Sequence, residues 1–389
     1  MKRLTCSSPP PLAHLLVTDT ERLSANESYW NPACCYAVSG EAVERVLKPA
    51  TAELWAMCRD FAARAVADAE ILASLGIPEH AWPGVSESWQ RGDPVSLARF
   101  DLSFDGAAPP KLHECNIDVV GLLFEATCFQ RRWTDHQRQA DPRFHQAQCF
   151  ADIENALGAA LCRISGDQPV RIVSLDADPY DDLWVDTHRH ILAAHGLSVA
   201  PEACASLADV CRALDGQGSR AHRPLIIKSF RWDLVTASAE ATHHVVRHTP
   251  RVMSAMWTLV LSSKGCLPWL WALNRGHPNL LAAHFTPQPL ADAPGIVAKP
   301  LFSIQGQNIT LMDRSGQTRL LTTQGPDTSG RRVFQELFYL PSFVTPEGPR
   351  WASTGAWIAD ERPAALSLTD SCCPVISSDK INYVPHVLV

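Results

Sequence analysis

Nothing in this 389-residue sequence approaches the roughly 18 consecutive uncharged apolar residues that a membrane-crossing helix requires. The apolar stretch near the start, MKRLTCSSPPPLAHLLV, is broken by prolines and too short for a secretory signal. Neither membrane residence nor export is expected. Positive charge is not in excess either: 34 lysines and arginines stand against 41 aspartates and glutamates, a net charge of −7. No broad basic face is therefore available for a nucleic-acid backbone. No two cysteines are spaced C-x-x-C, although there are 13 of them, an odd number that includes the adjacent pairs Cys34-Cys35 and Cys372-Cys373. That usage suits neither a disulfide framework nor a zinc site, and small buried thiols in a cytoplasmic protein are expected. His188 and His190, like His243 and His244, fall at no ligand spacing on a recognisable helix face and are expected as partly exposed polar side chains. No internal repeat at solenoid periods is present.

What the chain does have is apolar material, 46% hydrophobic against 19% charged, enough for roughly two to three domain-sized units. Leu54, Met57, Cys58, Phe61 and Ala65 make an apolar stripe at helical spacing, on a helix entered near Thr51. Two strand-like stretches follow, Leu97 to Phe104 and Lys111 to Asp118, joined by the turn-rich Asp105 to Pro110. Leu122 to Trp133 predicts a further helix. Val170 to Leu175 and Leu225 to Ile227 predict buried strands with helical sequence between them, the signature of an α/β unit. From His243 to Leu273 the pattern is helical, interrupted at Ser262 to Gly265. Short strands are expected at Ile296 to Ala298, Asn308 to Met312, Val333 to Tyr339 and Gly355 to Ala359, so the last third is mostly antiparallel sheet. The fold class is α/β or α+β in more than one lobe. The expected divisions are 1–165, an α/β lobe over 166–242, and 243–389.

The chemistry concentrates in the hairpin. With period-two alternation, Arg99, Asp101 and Ser103 share one face of the first strand, and Glu114, Asn116 and Asp118 share one face of the second. A hairpin centred on its turn sets Asp101 opposite Glu114 and Arg99 opposite Asn116. Two carboxylates about 5 Å apart repel by about 3 kcal/mol at an effective dielectric near 20. A divalent cation turns that repulsion into binding, and a set of oxygen ligands suits Mg²⁺ shared with phosphate. Arg99 beside it suits charge on a transferring phosphoryl group. The same pattern also fits a solvated sheet face with Arg99 paired to Asp101 or Glu114. Lys264 and Lys299 are cations in apolar sequence, which need anionic partners if buried and otherwise snorkel to the surface. Ser303 to Gln307 lies between strands, where it suits either a flap over a ligand or an ordinary hairpin loop.

The strings Ala98-Arg99-Phe100-Asp101, His113-Glu114-Cys115-Asn116-Ile117-Asp118, Ser262-Ser263-Lys264-Gly265 and Lys299-Pro300-Leu301-Phe302 resemble the synthetase domain of the glutathionylspermidine synthase family and its stand-alone acid-amine ligases. Tyr29-Trp30, His277-Pro278-Asn279, Gly306-Gln307-Asn308, Gln335 and Val384-Pro385-His386 match in family order. The resemblance implies an ATP-grasp fold related to glutathione synthetase, with ATP clamped between sheets. It implies Asp101, Glu114 and Asn116 as magnesium ligands, two ions being expected, and Arg99 as the stabiliser of the transition state. It implies ATP contacts from Arg99, Phe100, Asp101, Lys264, Lys299, Gly306 in the flap, Gln335, and Leu368-Thr369-Asp370. No amidase part is matched.

The chain departs from the family pattern at three places. Val119-Val120-Gly121 stands where Thr-Pro-Thr is usual, Ile304-Gln305-Gly306 where the flap carries Arg-Glu-Gly, and Thr369-Asp370 where Arg-Glu is expected. The implied activity is an ATP- and Mg²⁺-dependent carboxylate-amine ligase acting through an acylphosphate on small-molecule acid and amine substrates, peptide-, glutathione- or polyamine-like. The alternative left by the missing arginines is a nucleotide-binding relative with little or no turnover.

Overall fold

Residues 1–15, 29–175, 179–215, 219–316, 318–326, 330–377 and 380–389 are described by the computed structural model of the chain. The alternating stretches form β3 (Leu97–Ser103) and β4 (Lys111–Asn116), paired antiparallel. Their turn is held by Asp105 Oδ1, which accepts the main-chain N–H groups of Ala107 and Ala108 at 2.8 and 2.9 Å, an Asx turn. Gly106, at φ +91°, lies so close to the chain start that a Cβ there would sit 2.5 Å from the Met1 nitrogen. Only glycine fits both the angle and the space.

The hairpin does not stand alone. It completes a six-stranded sheet in the order β17-β16-β15-β3-β4, with β14 pairing on β15. The added strands are β14 (Ser342–Thr345), β15 (Gly348–Ala359), β16 (Arg362–Ser371) and β17 (Ile381–Tyr383). Strands from both ends of the chain thus build one sheet. Phe100, Leu102, Leu112 and Cys115 from the hairpin, with Ala356 and Leu366, join Leu54, Cys58, Phe61 and Ala65 in the main core. The helix carrying the last four runs Lys48–Ala65 and follows a π-turn over Val43–Leu47. The helical path starts well before Thr51, at Gly40, where Ser39 Oγ accepts the Ala42 N–H, and the π-turn carries it into Lys48.

A second, five-stranded antiparallel sheet has the order β12-β11-β10-β13-β9. Its members are β9 (Ala283–His284), β10 (Ile296–Pro300), β11 (Thr310–Met312), β12 (Arg319–Thr322) and β13 (Arg332–Glu336). A third sheet, β1 (Lys2–Thr5), β2 (Cys34–Val38) and β18 (His386–Leu388), joins the two ends of the chain.

The additional α/β lobe is a parallel sheet of order β6-β5-β7-β8, built from β5 (Val170–Leu175), β6 (Val199–Cys204), β7 (Leu225–Lys228) and β8 (Arg251–Met253). Helices Pro179–Ala194, Leu207–Ala213 and Ala239–His248 make the crossovers. β8 corrects the continuous helical reading from His243. Thr249 turns left-handed at φ 42° and Pro250 cannot extend the helix, so the next three residues pair with β7 instead. The helix expected over Leu122 to Trp133 is a π-segment, Glu125–Phe129, continued by Gln130–Ala140. Among the described residues no helix is long and apolar enough to cross a membrane.

Candidate active site

The pleat sets the acids. Arg99 pairs with Asn116 and Asp101 with Glu114, as a centred hairpin predicts, but the ladder then slips so that Leu102 faces Leu112. His113 is the extra residue of a β-bulge. Asp101 receives the Arg99 guanidinium at two points, Nε to Oδ1 at 2.6 Å and Nη2 to Oδ2 at 3.0 Å. Asn116 Nδ2 donates to Asp101 Oδ2 at 3.0 Å. Arg99 Nη1 also donates to the Gly121 carbonyl at 2.7 Å, and its guanidinium lies 5.6 Å from the Trp357 ring centre. Burial opposes this cation, but the charge and hydrogen bonds of Asp101, with Glu114 behind them, hold its pKa above the ordinary arginine value. The arginine stem needs room on the sheet. Gly355, opposite Asp101 on β15, supplies it, because a Cβ there would lie 3.0 Å from Arg99 Cδ and 2.3 Å from Ser367 Oγ.

Two lysines close on the same hairpin, Lys264 from the turn between the helices Leu259–Ser262 and Cys266–Leu273, and Lys299 from the five-stranded sheet. Lys264 Nζ lies 2.9 Å from Glu114 Oε1 and donates to the Ser303 carbonyl at 2.7 Å. Lys299, on β10, donates to the His113 carbonyl at 2.8 Å and to Gln335 Oε1 at 2.6 Å, while Gln335 Nε2 donates to the Leu112 carbonyl at 3.0 Å. Lys299 and Gln335 therefore tie the face of one sheet to the edge strand of the other. Burial, with the like charge of Lys264 and against the pull of Glu114, brings the Lys299 amine down to about 8. Both lysines are buried, so the snorkelling alternative does not apply. Asp101, Glu114 and Asn116 are a wholly oxygen-bearing donor set, which fits a hard divalent cation.

His113 was not singled out from the sequence. Its Nε2 is buried without a hydrogen-bond partner among the described residues, and burial together with Lys299 pushes the ring's pKa down to about 3. Only the bulge, invisible to strict alternation, re-aims this residue.

Other expected residues are placed elsewhere. Phe100 points into the main core, on the face opposite Arg99 and Asp101. Gly306, at φ +68°, sits in a loop flanked by positive φ at Gln305 and Asn308, packed so that a Cβ would lie 2.2 Å from the Ile376 carbonyl oxygen. Leu368, Thr369 and Asp370 lie on β16, across β15 from the hairpin. Leu368 belongs to the core. Asp370 is fully buried in an ion cluster, accepting from Tyr36 Oη at 2.9 Å, Arg3 Nε at 3.1 Å and Arg350 Nε at 3.0 Å. Asp118 does not continue the Glu114 face, because β4 ends at Asn116. It accepts the Trp232 N–H at 2.6 Å and pairs with Lys228 of the parallel sheet. His188 is buried rather than partly exposed, bonded through Nδ1 to the Trp184 carbonyl at 3.0 Å, with burial lowering its pKa to about 4.

A family model described as glutathionylspermidine synthase preATP-grasp matches residues 16–389. A Haemophilus influenzae protein named "Putative acid--amine ligase" is 26% identical over 379 residues, which cover 94% of this chain and 92% of that protein. A trypanothione synthetase of Crithidia fasciculata is 23% identical over 84% of this chain and 54% of its own length. A bifunctional glutathionylspermidine synthetase/amidase of Escherichia coli is 24% identical over 79% of this chain and 52% of its own. The chain thus spans about half the length of the last two proteins. A solved structure of a glutathione synthetase-like effector from Globodera pallida covers 86% of this chain and 87% of its own, with a TM-score of 0.47 at 12% identity.

Proposed function

The chain belongs to the glutathionylspermidine synthase preATP-grasp family, a family of ligases that form carbon–nitrogen bonds, and from that premise we propose that it condenses a small carboxylic acid with a small amine at the expense of ATP. The observation that carries this reading is the meeting of Arg99, Asp101, Glu114 and Asn116 with Lys264 and Lys299 at the junction of two sheets.

Asp101, Glu114 and Asn116 would hold magnesium, which when bound supplies neutralising charge to phosphate oxygens. The cationic side chains keep N–H donors that could serve phosphate oxygens. A guanidinium has five N–H donors, and among the described residues the bonds of Arg99 to Asp101 and Gly121 occupy three. An ammonium has three, and Lys264 and Lys299 each use two among the described residues. The spare donors are the groups that would orient the triphosphate and offset charge on the transferred phosphoryl group. The acid's carboxylate oxygen attacks the γ-phosphorus and ADP leaves. The amine nitrogen then attacks the acyl carbon of the resulting acylphosphate, phosphate departs with the bond electrons, and the nitrogen loses a proton. The relatives' names support a glutathione-like acid and a polyamine-like amine, and thirteen unpaired cysteines suit the reducing cytoplasm.

The test is ADP release with Mg²⁺ and ATP over a panel of acids and amines, with the condensed product identified by mass spectrometry. Product that disappears in Asp101→Asn supports the reading. ATP binding without ADP release from any pair selects the alternative, a nucleotide-binding relative, which the uncharged, 43% exposed Ile304 of the flap favours.

A further inference from the structure

Outside the ligase site, the crossover helix Ala239–His248 carries His244 and His248 four residues apart, so that both rings lie on one helix face. The rings are stacked, with centroids 4.5 Å apart and planes at 21°. A third group meets them from a different element. Asp215, just beyond the helix Leu207–Ala213, turns its carboxylate onto the pair, with Oδ1 against His244 Nε2 and 3.5 Å from His248 Nδ1. One ligand atom from each residue lies within 4.8 Å of the others. Zinc bonds of about 2.0–2.2 Å to nitrogen and oxygen in a tetrahedron require ligand atoms roughly 3.4 Å apart, a spacing that this cluster spans with small side-chain rotations.

We propose that Asp215, His244 and His248 form a binding site for a divalent transition-metal ion of the zinc class, with water completing the coordination. Two imidazoles and one carboxylate suit such an ion and are poor ligands for Mg²⁺, which takes oxygen. The three side chains are 32–42% exposed, so an ion can enter and keep water. The ion would staple the end of one crossover helix to the next, a role independent of the ligase reading. Among the described residues the other grouping of this kind, Cys128, Glu154 and His190, is a poorer candidate. Its carboxylate is ion-paired with Arg131, and burial pushes the Cys128 thiol up to about 11, away from the thiolate a metal needs.

The experiment titrates Zn²⁺ into the chelator-treated full chain against a chromophoric zinc indicator and records the melting temperature in parallel. One ion per chain is expected, with at least tenfold weaker binding in His244→Ala, His248→Ala and Asp215→Ala and no competition from a hundredfold excess of Mg²⁺. Zn²⁺ should raise the melting temperature of the unaltered chain and not that of the variants. Co²⁺ substitution should give the visible absorption of a four- or five-coordinate nitrogen and oxygen site. Unchanged uptake in the double histidine variant, no saturable uptake, or a near-ultraviolet thiolate-to-cobalt band assigning the ion to cysteine would each overturn the proposal.

Discussion

Lys264 Nζ lies 2.9 Å from Oε1 of Glu114, a cation from a turn between two helices set against an acid on the hairpin. Together with the Arg99–Asp101 pair, this contact balances two carboxylates that strand pairing places face to face. The same ammonium donates to the Ser303 carbonyl, so the start of the Ser303–Gln307 loop is linked to the acid cluster. Replacing Lys264 with methionine removes one charged donor to phosphate, and such a bond contributes about 2 kcal/mol. ATP binding in Lys264→Met should weaken roughly thirtyfold by isothermal titration. An unchanged Kd would take Lys264 out of the nucleotide site.

Arg99 is expected to act on the transferred group rather than on bound ATP. Arg99→Ala should leave the ATP Kd within about threefold and lower turnover by about a hundredfold or more, the cost of one lost stabilising donor. Loss of ATP binding in this variant would assign Arg99 to ground-state binding instead.

The flap supplies a third expectation. Ile304 offers neither charge nor hydrogen bond to an anion, and Ile304→Arg should tighten ATP binding by about 1–2 kcal/mol if the loop closes over phosphate. Equal affinities of the two proteins would show that residue 304 stays clear of the nucleotide.

Asp118 and Lys228 form a buried ion pair between the hairpin's end and the parallel sheet. Burial lowers the Lys228 pKa against the attraction of Asp118. Asp118→Asn strands that ammonium and should cost about 3 kcal/mol or more in urea unfolding, while adding Lys228→Met should recover part of the loss. A double variant as unstable as the single one would place the penalty on the Trp232 hydrogen bond, whose acceptor changes from a carboxylate to a neutral amide.

His386 accepts the Phe150 N–H at 3.0 Å through Nε2 and is fully buried, which lowers its pKa to about 3. Between pH 3 and the ordinary value near 6.5, the unfolded chain binds a proton here that the folded chain does not. Stability is therefore complete above pH 6.5 and is lost as pH falls toward 3, by about 2 kcal/mol between pH 6.5 and 4.5 from this residue. His386→Gln keeps an acceptor without titrating and should flatten that acid loss. Identical pH profiles would mean that the folded ring protonates freely.

The hairpin acids, their pairing and their oxygen-only chemistry were legible in the sequence, because strand alternation and turn residues act over a few positions and the pleat does the rest. The antiparallel last third and the α/β lobe were legible for the same reason, as was the family. Contacts made across the chain were not. The Asp370 cluster gathers Arg3, Tyr36 and Arg350 from three strands, and Arg3 is 367 residues away from its partner. β8 exists because a parallel neighbour is there to pair with Arg251 to Met253, not because three residues prefer a strand. The His113 bulge arises from a one-residue mismatch that only two paired strands reveal. His244 and His248 share a helix face that the chain itself implies, but Asp215 reaches them only when two crossover helices pack side by side. Local order came from backbone geometry and short-range pattern, while the partners of each charged group came from where burial left no water to replace them.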